Sequence, residues 1–456
     1  MTPRDLFRAI GQVDDDLVEE AGEMRNSRPP MGIWRRALPL AACAAVIFVV
    51  VAPLAGFLTH GASSAAPNTA PAQQEATAAP GAAAGGTQKE DTLAGAAQDG
   101  GLPLLAVGEF FPGGMGMEAL MEKSPEELEN GNPWTEEMAF ETLPVYAIEG
   151  DSYHDGALRF GPLGVEEMGL RAAELAEKLG LTMTGREVTP AQDDATAKRV
   201  REKIAGVYDD PLTQEEKEQI EQQIEMNLHP NYVTVLCENG VQVECDTNGT
   251  LTVEYPTDGV ADVETVYSSA TRAQARAMAK SLAPQWAPLL GVQQPRAVTF
   301  GDYSYEGELH ATASLVDDAG TDLERILNWN FRKVDFHPWE DGRLWLVRQW
   351  NTPLGDKVGD YPVITADEAQ EKLLAGGYWS SVYLEEESET WPAEEAIVRR
   401  ELVYRQCQDY ILPFYRFYVR LPESAHYGTK DSQTYGAYYV AAVEGEYITD
   451  EPRFNG

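Results

Sequence analysis

A stretch of 22 residues limits every arrangement this chain can take. From Ala37 to Leu58 the sequence ALPLAACAAVIFVVVAPLAGFL carries no charge. As a helix it would extend about 33 Å, which matches the hydrocarbon core of a bilayer. Pro39 falls in the first turn, and Pro53 would kink the last turns, which membrane helices accept. Arg25, Arg28, Arg35 and Arg36 precede the run, and the first basic residue after it is Lys89. The positive-inside rule then puts the N-terminus in the cytoplasm, with Arg35 and Arg36 as the anchor flank, and the C-terminal part outside. A cleaved signal peptide is the rival reading, because Ala62, Ser64 and Ala66 follow the run. A 36-residue leader with its own helical pattern exceeds the usual n-region, which favours a retained anchor.

The expected organisation follows from this span. Residues 1–36 are a cytoplasmic amphipathic helical segment and 37–58 the transmembrane helix. Residues 61–101, rich in Ala, Pro, Gly, Thr and Gln, form a disordered tether with almost nothing to bury. Two extracytoplasmic α+β lobes follow, at 102–355 and 356–456. A flexible coil of the tether's length spans roughly 35 Å, enough to hold the outer region clear of the membrane surface.

Charge narrows the partners. The net charge of −39 comes from 74 acidic and 35 basic residues, and nearly all the excess lies beyond the apolar run. Such a surface has no electrostatic footprint for nucleic acid. Of the four cysteines, Cys43 lies within the span, leaving Cys237, Cys245 and Cys407 for the outer region. They show no CxxC or Cys/His ligand spacing and read as core residues. With a two-residue Asn239-Gly240 turn, Cys237 would face Gln242 and Cys245 would face Thr234 on the opposite sheet face, so no bridge is expected.

The leader MTPRDLFRAIGQVDDDLVEEAGEM begins with the helix-start residues Thr2, Pro3 and Asp5. It then places Leu6, Phe7, Ile10, Val13 and Leu17 at three- and four-residue steps. That stripe cannot be buried by the segment alone, so these five residues are the candidate surface for a cytoplasmic protein partner.

In the outer region, helical patterns run over Val165–Leu179, Gln214–Leu228 and about Ala270–Leu289. YVTVLCE, VQVECD and TLTVEY, separated by Asn-Gly turns, predict a three-stranded meander from Tyr232. Strand-like segments ATASLVDD, NFRKVDF and RLWLVRQW come next, the last two joined by a HPWEDG turn. Thr365 and Glu368 predict a capping box for a helix over Ala366–Ala375, closed by Gly376-Gly377. SSVYLEE, VRRELVYR, LPFYRFYVRL and YGAYYVAAVEGEYI then read as half-buried antiparallel strands. The fold class is α+β, antiparallel sheets with packed helices in two related lobes.

The run PVITADEAQEKLLAGG, then ELVYRQCQDYILPFYRFYVRL and TYGAYYVAAVEGEYI, resembles the extracytoplasmic domains of YycH/YycI-type regulators and, more loosely, PepSY-like domains. The leader DLFRAIGQVDDDLVEEA, with its basic cluster and span, is similar to the cytosolic segments of clostridial anti-sigma-like membrane regulators. These resemblances imply a single-pass signalling protein. Its outer domain would bind a partner or ligand, and its inner helices would contact a sigma factor or a kinase.

Enzymatic signatures are lacking. None of the six histidines, His60, His154, His229, His310, His337 and His426, falls in HExxH or a comparable ligand pair. No GxSxG, GxxxxGK[ST] or SxxK motif occurs, and the Gly-rich 111–116 segment lacks the Lys that phosphate binding needs. The expectation is a non-enzymatic regulator without cofactor or metal. The alternatives are an envelope binding module with no signalling role, using aromatics left exposed among Trp329–Trp350 and Tyr410–Tyr439, or an exported enzyme of unrecognised type.

Overall fold

The computed structural model describes residues 101–108, 118–148, 152–153, 158–159, 161–206, 212–256, 270–339, 342–382, 384, 391–407, 409–426 and 428–450. The leader, the apolar run and the tether up to residue 100 lie outside the described residues. Among the described residues, no helix is long and apolar enough to cross a membrane.

In chain order the elements are β1 (Ala119–Glu122), β2 (Thr142–Ala147), β3 (Ser152–Tyr153), β4 (Leu158–Arg159), α1 (Val165–Lys178), β5 (Met183–Thr189), α2 (Asp194–Ala205) and α3 (Gln214–Leu228). The meander β6 (Tyr232–Cys237), β7 (Gln242–Asp246) and β8 (Leu251–Glu254) follows, then α4 (Arg272–Leu289), β9 (Pro295–Phe300) and β10 (Thr312–Asp317). The rest comprises α5 (Asp322–Phe331), β11 (Lys333–Pro338), β12 (Leu344–Gln349), β13 (Lys357–Pro362), α6 (Ala366–Leu374), β14 (Ile397–Gln406), β15 (Tyr410–Arg420) and β16 (Gln433–Ala441). The protein is α+β, and its ladders are antiparallel.

The chain divides into two compact units, and residues 190–230 belong to the smaller. There α2 starts where Asp193 accepts the amide of Thr196, and α3 starts at a reciprocal Thr213/Glu216 capping box. Ile204, Ile220 and Ile224 bury one another along the pair.

The larger unit contains both main sheets. The eight-stranded sheet runs β5-β6-β7-β8-β12-β11-β10-β9. One of its faces alternates Val233, Val235, Val243, Val253, Leu315, Val334, Phe336 and Val347 into a core sealed by α1 and α4, with Trp286 of α4 fully buried against it. A period of two on the strands and of three to four on the helices places every one of these side chains on the inner face. The six-stranded sheet joins β1, β16, β15, β2 and β13, with β14 on β15. Helices α5 and α6 cover one of its faces, through Ile326, Leu327, Phe331, Ala369 and Leu373. On its other face Phe414, Tyr418, Tyr435 and Tyr439 pack with Val298 and Phe300 of β9 and Val316 of β10. The two sheets thus share one interior.

The structure corrects several sequence expectations. Strands β1 and β2, which fall within the expected 102–355 lobe, hydrogen-bond into the sheet built from 357–441, so a boundary at residue 355 does not separate the two sheets. Strand β15 is buried on both faces, with Phe414 and Tyr418 in one core and Tyr415, Phe417 and Val419 in the other. NFRKVDF begins in a helix, since Asn330 and Phe331 close α5, and only Lys333–Phe336 belong to β11. The described part of SSVYLEE forms no strand ladder; Ser380 and the adjacent Trp379 make isolated bridges, that of Trp379 to Tyr439.

The meander turn also differs. The loop holds three residues, Glu238 to Gly240, with Asn239 at φ 65° and Gly240 at φ 75°. The Cys237 amide donates to the Val241 carbonyl at 2.9 Å, and Cys245 pairs with Val233. The extra loop residue shifts the register by one, and a one-residue shift moves side chains to the other face. Cys237 and Cys245 therefore lie on the same buried face, as free thiols, and Cys407 is also buried and free.

Candidate functional site

The sequence-predicted contact residues Leu6, Phe7, Ile10, Val13 and Leu17 and the anchor flank Arg35 and Arg36 lie outside the described residues. What the structure adds is a polar seam in the interior shared by the two sheets, built by residues far apart in sequence.

Its first part is a cross-strand charge network. Register places Glu401 of β14 opposite Arg416 of β15, which lies opposite Tyr439 of β16. The Arg416 guanidinium donates to Glu401 through both Nε, at 3.1 Å, and Nη2. Arg399 donates to the second Glu401 oxygen at 2.5 Å and to Glu129 at 3.1 Å. Nearby, Arg405 donates to Glu118 at 3.0 Å and to the Tyr439 hydroxyl at 2.6 Å, and that hydroxyl in turn donates to Glu118. Burial alone would raise the Glu401 carboxyl, but Arg416 and Arg399 outweigh it and hold the group below its usual range. Arg416 also stands over the faces of Trp329 and Tyr418.

Its second part centres on Glu122, the last residue of β1, with 1 % of its surface exposed. Arg272, the first residue of α4, donates to Glu122 Oε1 at 2.5 Å, to the Gly301 carbonyl at 2.9 Å and to Glu127 at 3.2 Å. A Thr271/Gln274 capping box fixes the start of α4 and so places the arginine. Gly301 holds φ 102°, and a Cβ there would sit 1.8 Å from the His310 carbonyl oxygen, so only glycine fits. Asp302 accepts the Met121 amide at 3.0 Å and ties the following loop to β1. A cavity of about 20 Å³ lies among Glu122, Glu127, Arg272, Phe300 and Tyr418, room for a single water. Burial pushes the Glu122 carboxyl up to about 9, against the opposing pull of Arg272.

A third polar row crosses the eight-stranded sheet on the side away from α1 and α4. Thr234, Glu244, Thr252, Arg348, Asp335 and Ser314 are successive register partners. Asp335 accepts from Ser314 at 2.6 Å and from the Trp350 indole at 2.5 Å. Burial raises Glu244 to about 7, with Arg348 opposing.

Two of the described histidines have identifiable neighbours. His426 Nε2 lies 2.9 Å from the Thr429 carbonyl and Nδ1 lies 3.0 Å from the Thr434 hydroxyl. Burial lowers the His337 pKa, and its ring lies 6.2 Å from Trp345, which lies 5.1 Å from Trp339. These three half-buried rings cluster at the β11–β12 hairpin. Among the described residues no group of three or more His, Cys, Asp or Glu is arranged to hold a metal ion.

Fold and seam together define an α+β protein of two antiparallel sheets closed over a polar interior. No protein-family model matches the chain, and no curated protein matches it. Among solved structures, it is similar to an uncharacterized protein from Eubacterium rectale, at 10% identity over 69% of this chain and 86% of that one, with a TM-score of 0.32.

Proposed function

We propose that this chain is a non-enzymatic, single-pass membrane regulator. The α+β region binds a partner or ligand outside the cell, and the leader contacts a sigma factor or kinase inside. The observation that carries this reading is the uncharged run 37–58, with Arg25, Arg28, Arg35 and Arg36 just before it and a 41-residue Ala/Pro/Gly-rich segment after it that carries no Lys or Arg before Lys89. A second support is the spacing of Leu6, Phe7, Ile10, Val13 and Leu17 at three- and four-residue steps in the sequence. We read the α+β region as two related lobes, because a helix followed by several strands occurs twice along the chain.

The half-buried rings of His337, Trp339 and Trp345 favour partner binding on the outer side, since aromatic side chains supply contact area at low entropic cost. They also support the second reading, an envelope binding module without a signalling role. Crosslinking and capture from native membranes separates the two. A Leu6→Asp/Phe7→Asp/Ile10→Asp variant that keeps the span and tether should lose a captured sigma factor or kinase while retaining its envelope partners. Recovery of the same partners from both proteins would sink the regulator reading and leave the binding module.

A further inference from the structure

The dipeptide Asn-Gly occurs three times among the described residues, at Asn130-Gly131, Asn239-Gly240 and Asn248-Gly249. It is a pairing prone to lose the asparagine amide, because glycine has no Cβ to hinder its own nitrogen from attacking the neighbouring side-chain carbon. For that attack the asparagine side chain must turn toward the glycine nitrogen, and the nitrogen must be released from any hydrogen bond it makes. The three sites differ on both counts.

Asn130 is fixed in place. Its Nδ2 donates to Glu401 at 3.4 Å, its Oδ1 accepts the Asn132 amide at 3.0 Å, and its carbonyl accepts the Trp329 indole at 3.2 Å. The Gly131 amide donates to Glu129 at 2.7 Å, and the Gly131 carbonyl accepts from Arg296 at 2.8 Å. At the second site Gly249 is buried, and its amide donates to the Asp246 carbonyl at 2.9 Å. Asn248 donates its own amide to the Asp246 carboxylate at 2.9 Å and accepts from Asn351 at 3.2 Å.

The β6–β7 turn is built differently. Glu238, Asn239 and Gly240 are all exposed. Among the described residues nothing hydrogen-bonds the Asn239 side chain, and no side chain accepts from the Gly240 amide. Asn239 sits at φ 65° and ψ 12°, so the turn must rotate before its side-chain carbon faces the Gly240 nitrogen. That rotation breaks no side-chain bond and uncovers no buried residue of the loop.

We propose that Asn239 is the residue at which the folded protein deamidates, and that the product loosens the turn between β6 and β7. The Gly240 nitrogen bonds to the Asn239 side-chain carbon and gives up its proton. The bond from that carbon to the side-chain nitrogen breaks, ammonia leaves with the proton, and a succinimide ring remains. Water then opens the ring, giving aspartate if it adds at the side-chain carbonyl and isoaspartate if it adds at the main-chain carbonyl. Isoaspartate routes the main chain through the side-chain carbon and so adds a methylene to a loop of three residues. Asparagine is among the residues that tolerate positive φ, a fit that isoaspartate gives up. The bond from the Cys237 amide to the Val241 carbonyl closes this loop and bears the change. Cys237, 5 % exposed, is the core residue next to it.

The test is ageing of the full-length protein at mildly alkaline pH, followed by peptide mapping with isoaspartate detection by mass spectrometry. Conversion at Asn239 should run about tenfold or more ahead of Asn130 and Asn248, whose surroundings must open before they can react. In denaturant all three should convert at comparable rates. Aged wild type should react with a thiol reagent at Cys237 faster than fresh protein. Aged Asn239→Gly, which suits the positive φ and has no amide to lose, should not. Equal rates at the three sites in the folded protein, or an order that denaturant leaves unchanged, would overturn the assignment. Conversion at Asn239 with Cys237 no more reactive than in fresh protein would overturn the loosening.

Discussion

Arg416 is 2 % exposed and sits in the middle of a strand between Phe414 and Tyr418, a position that sequence alternation gives to an apolar side chain. Its charge is tolerable only because Glu401 accepts two of its donors and Trp329 and Tyr418 flank it. Replacing it alone takes both arginine donors from the buried Glu401 Oε2, while Arg399 keeps only the other oxygen. Arg416→Met should therefore cost about 3–5 kcal/mol, while Arg416→Met with Glu401→Leu should recover most of that loss. Urea unfolding of both variants checks this, and equal losses would show that packing rather than charge dominates. Glu122 works in the opposite sense. Its folded carboxyl titrates near 9 instead of 4.5, so between those values the folded protein keeps a proton that the unfolded chain has released. The stability from this group is fullest below 4.5 and drains away as pH rises to about 9. Glu122→Gln should flatten that slope and gain about 1–3 kcal/mol at mildly alkaline pH, where the wild type carries the full penalty. Chemical denaturation across a pH series reads it directly.

At the scale of elements, four helices begin with the same device. Thr213/Glu216, Thr271/Gln274, Thr321/Glu324 and Thr365/Glu368 each satisfy the first free amides of a helix reciprocally. Thr321→Val should cost about 1 kcal/mol and fray the start of α5, measurable as a lower midpoint of thermal unfolding. The box at Thr365 was legible because Gly376-Gly377 also marks the helix end. There the Gly377 amide bonds back to Lys372 at 2.9 Å and that of Gly376 to Leu373 at 3.0 Å. The box at Thr321 was just as clear in the letters, but the aromatic and β-branched run after it hid α5, whose last turn reads as the start of a strand. α1, α3, α4 and the meander were legible from period alone. The register of Cys245 was not, since Asn239-Gly240 marks a turn without fixing whether the loop holds two residues or three. Nor was the seam. Glu122, Glu127, Arg272 and Gly301 meet only because β1 crosses into the sheet of the C-terminal strands, and no local pattern encodes that pairing.

At the scale of the whole molecule, the apolar run and the Ala/Pro/Gly-rich segment read from sequence precede an α+β region whose two sheets share a polar interior. The acidic excess beyond residue 58 suits a surface facing solvent and repels anionic headgroups, which would favour an outer region standing off the membrane on its tether. A buried interior with paired arginines would give that region a single well-defined state in which to meet a partner, with the tether uncoupling its orientation from the span. Protease treatment of intact cells carrying an epitope at each end tests the proposed topology. External protease is expected to remove the C-terminal epitope and leave a short membrane-bound fragment with the N-terminal epitope intact. Protection of both epitopes in intact cells, or release of the C-terminal region without any protease, would contradict it.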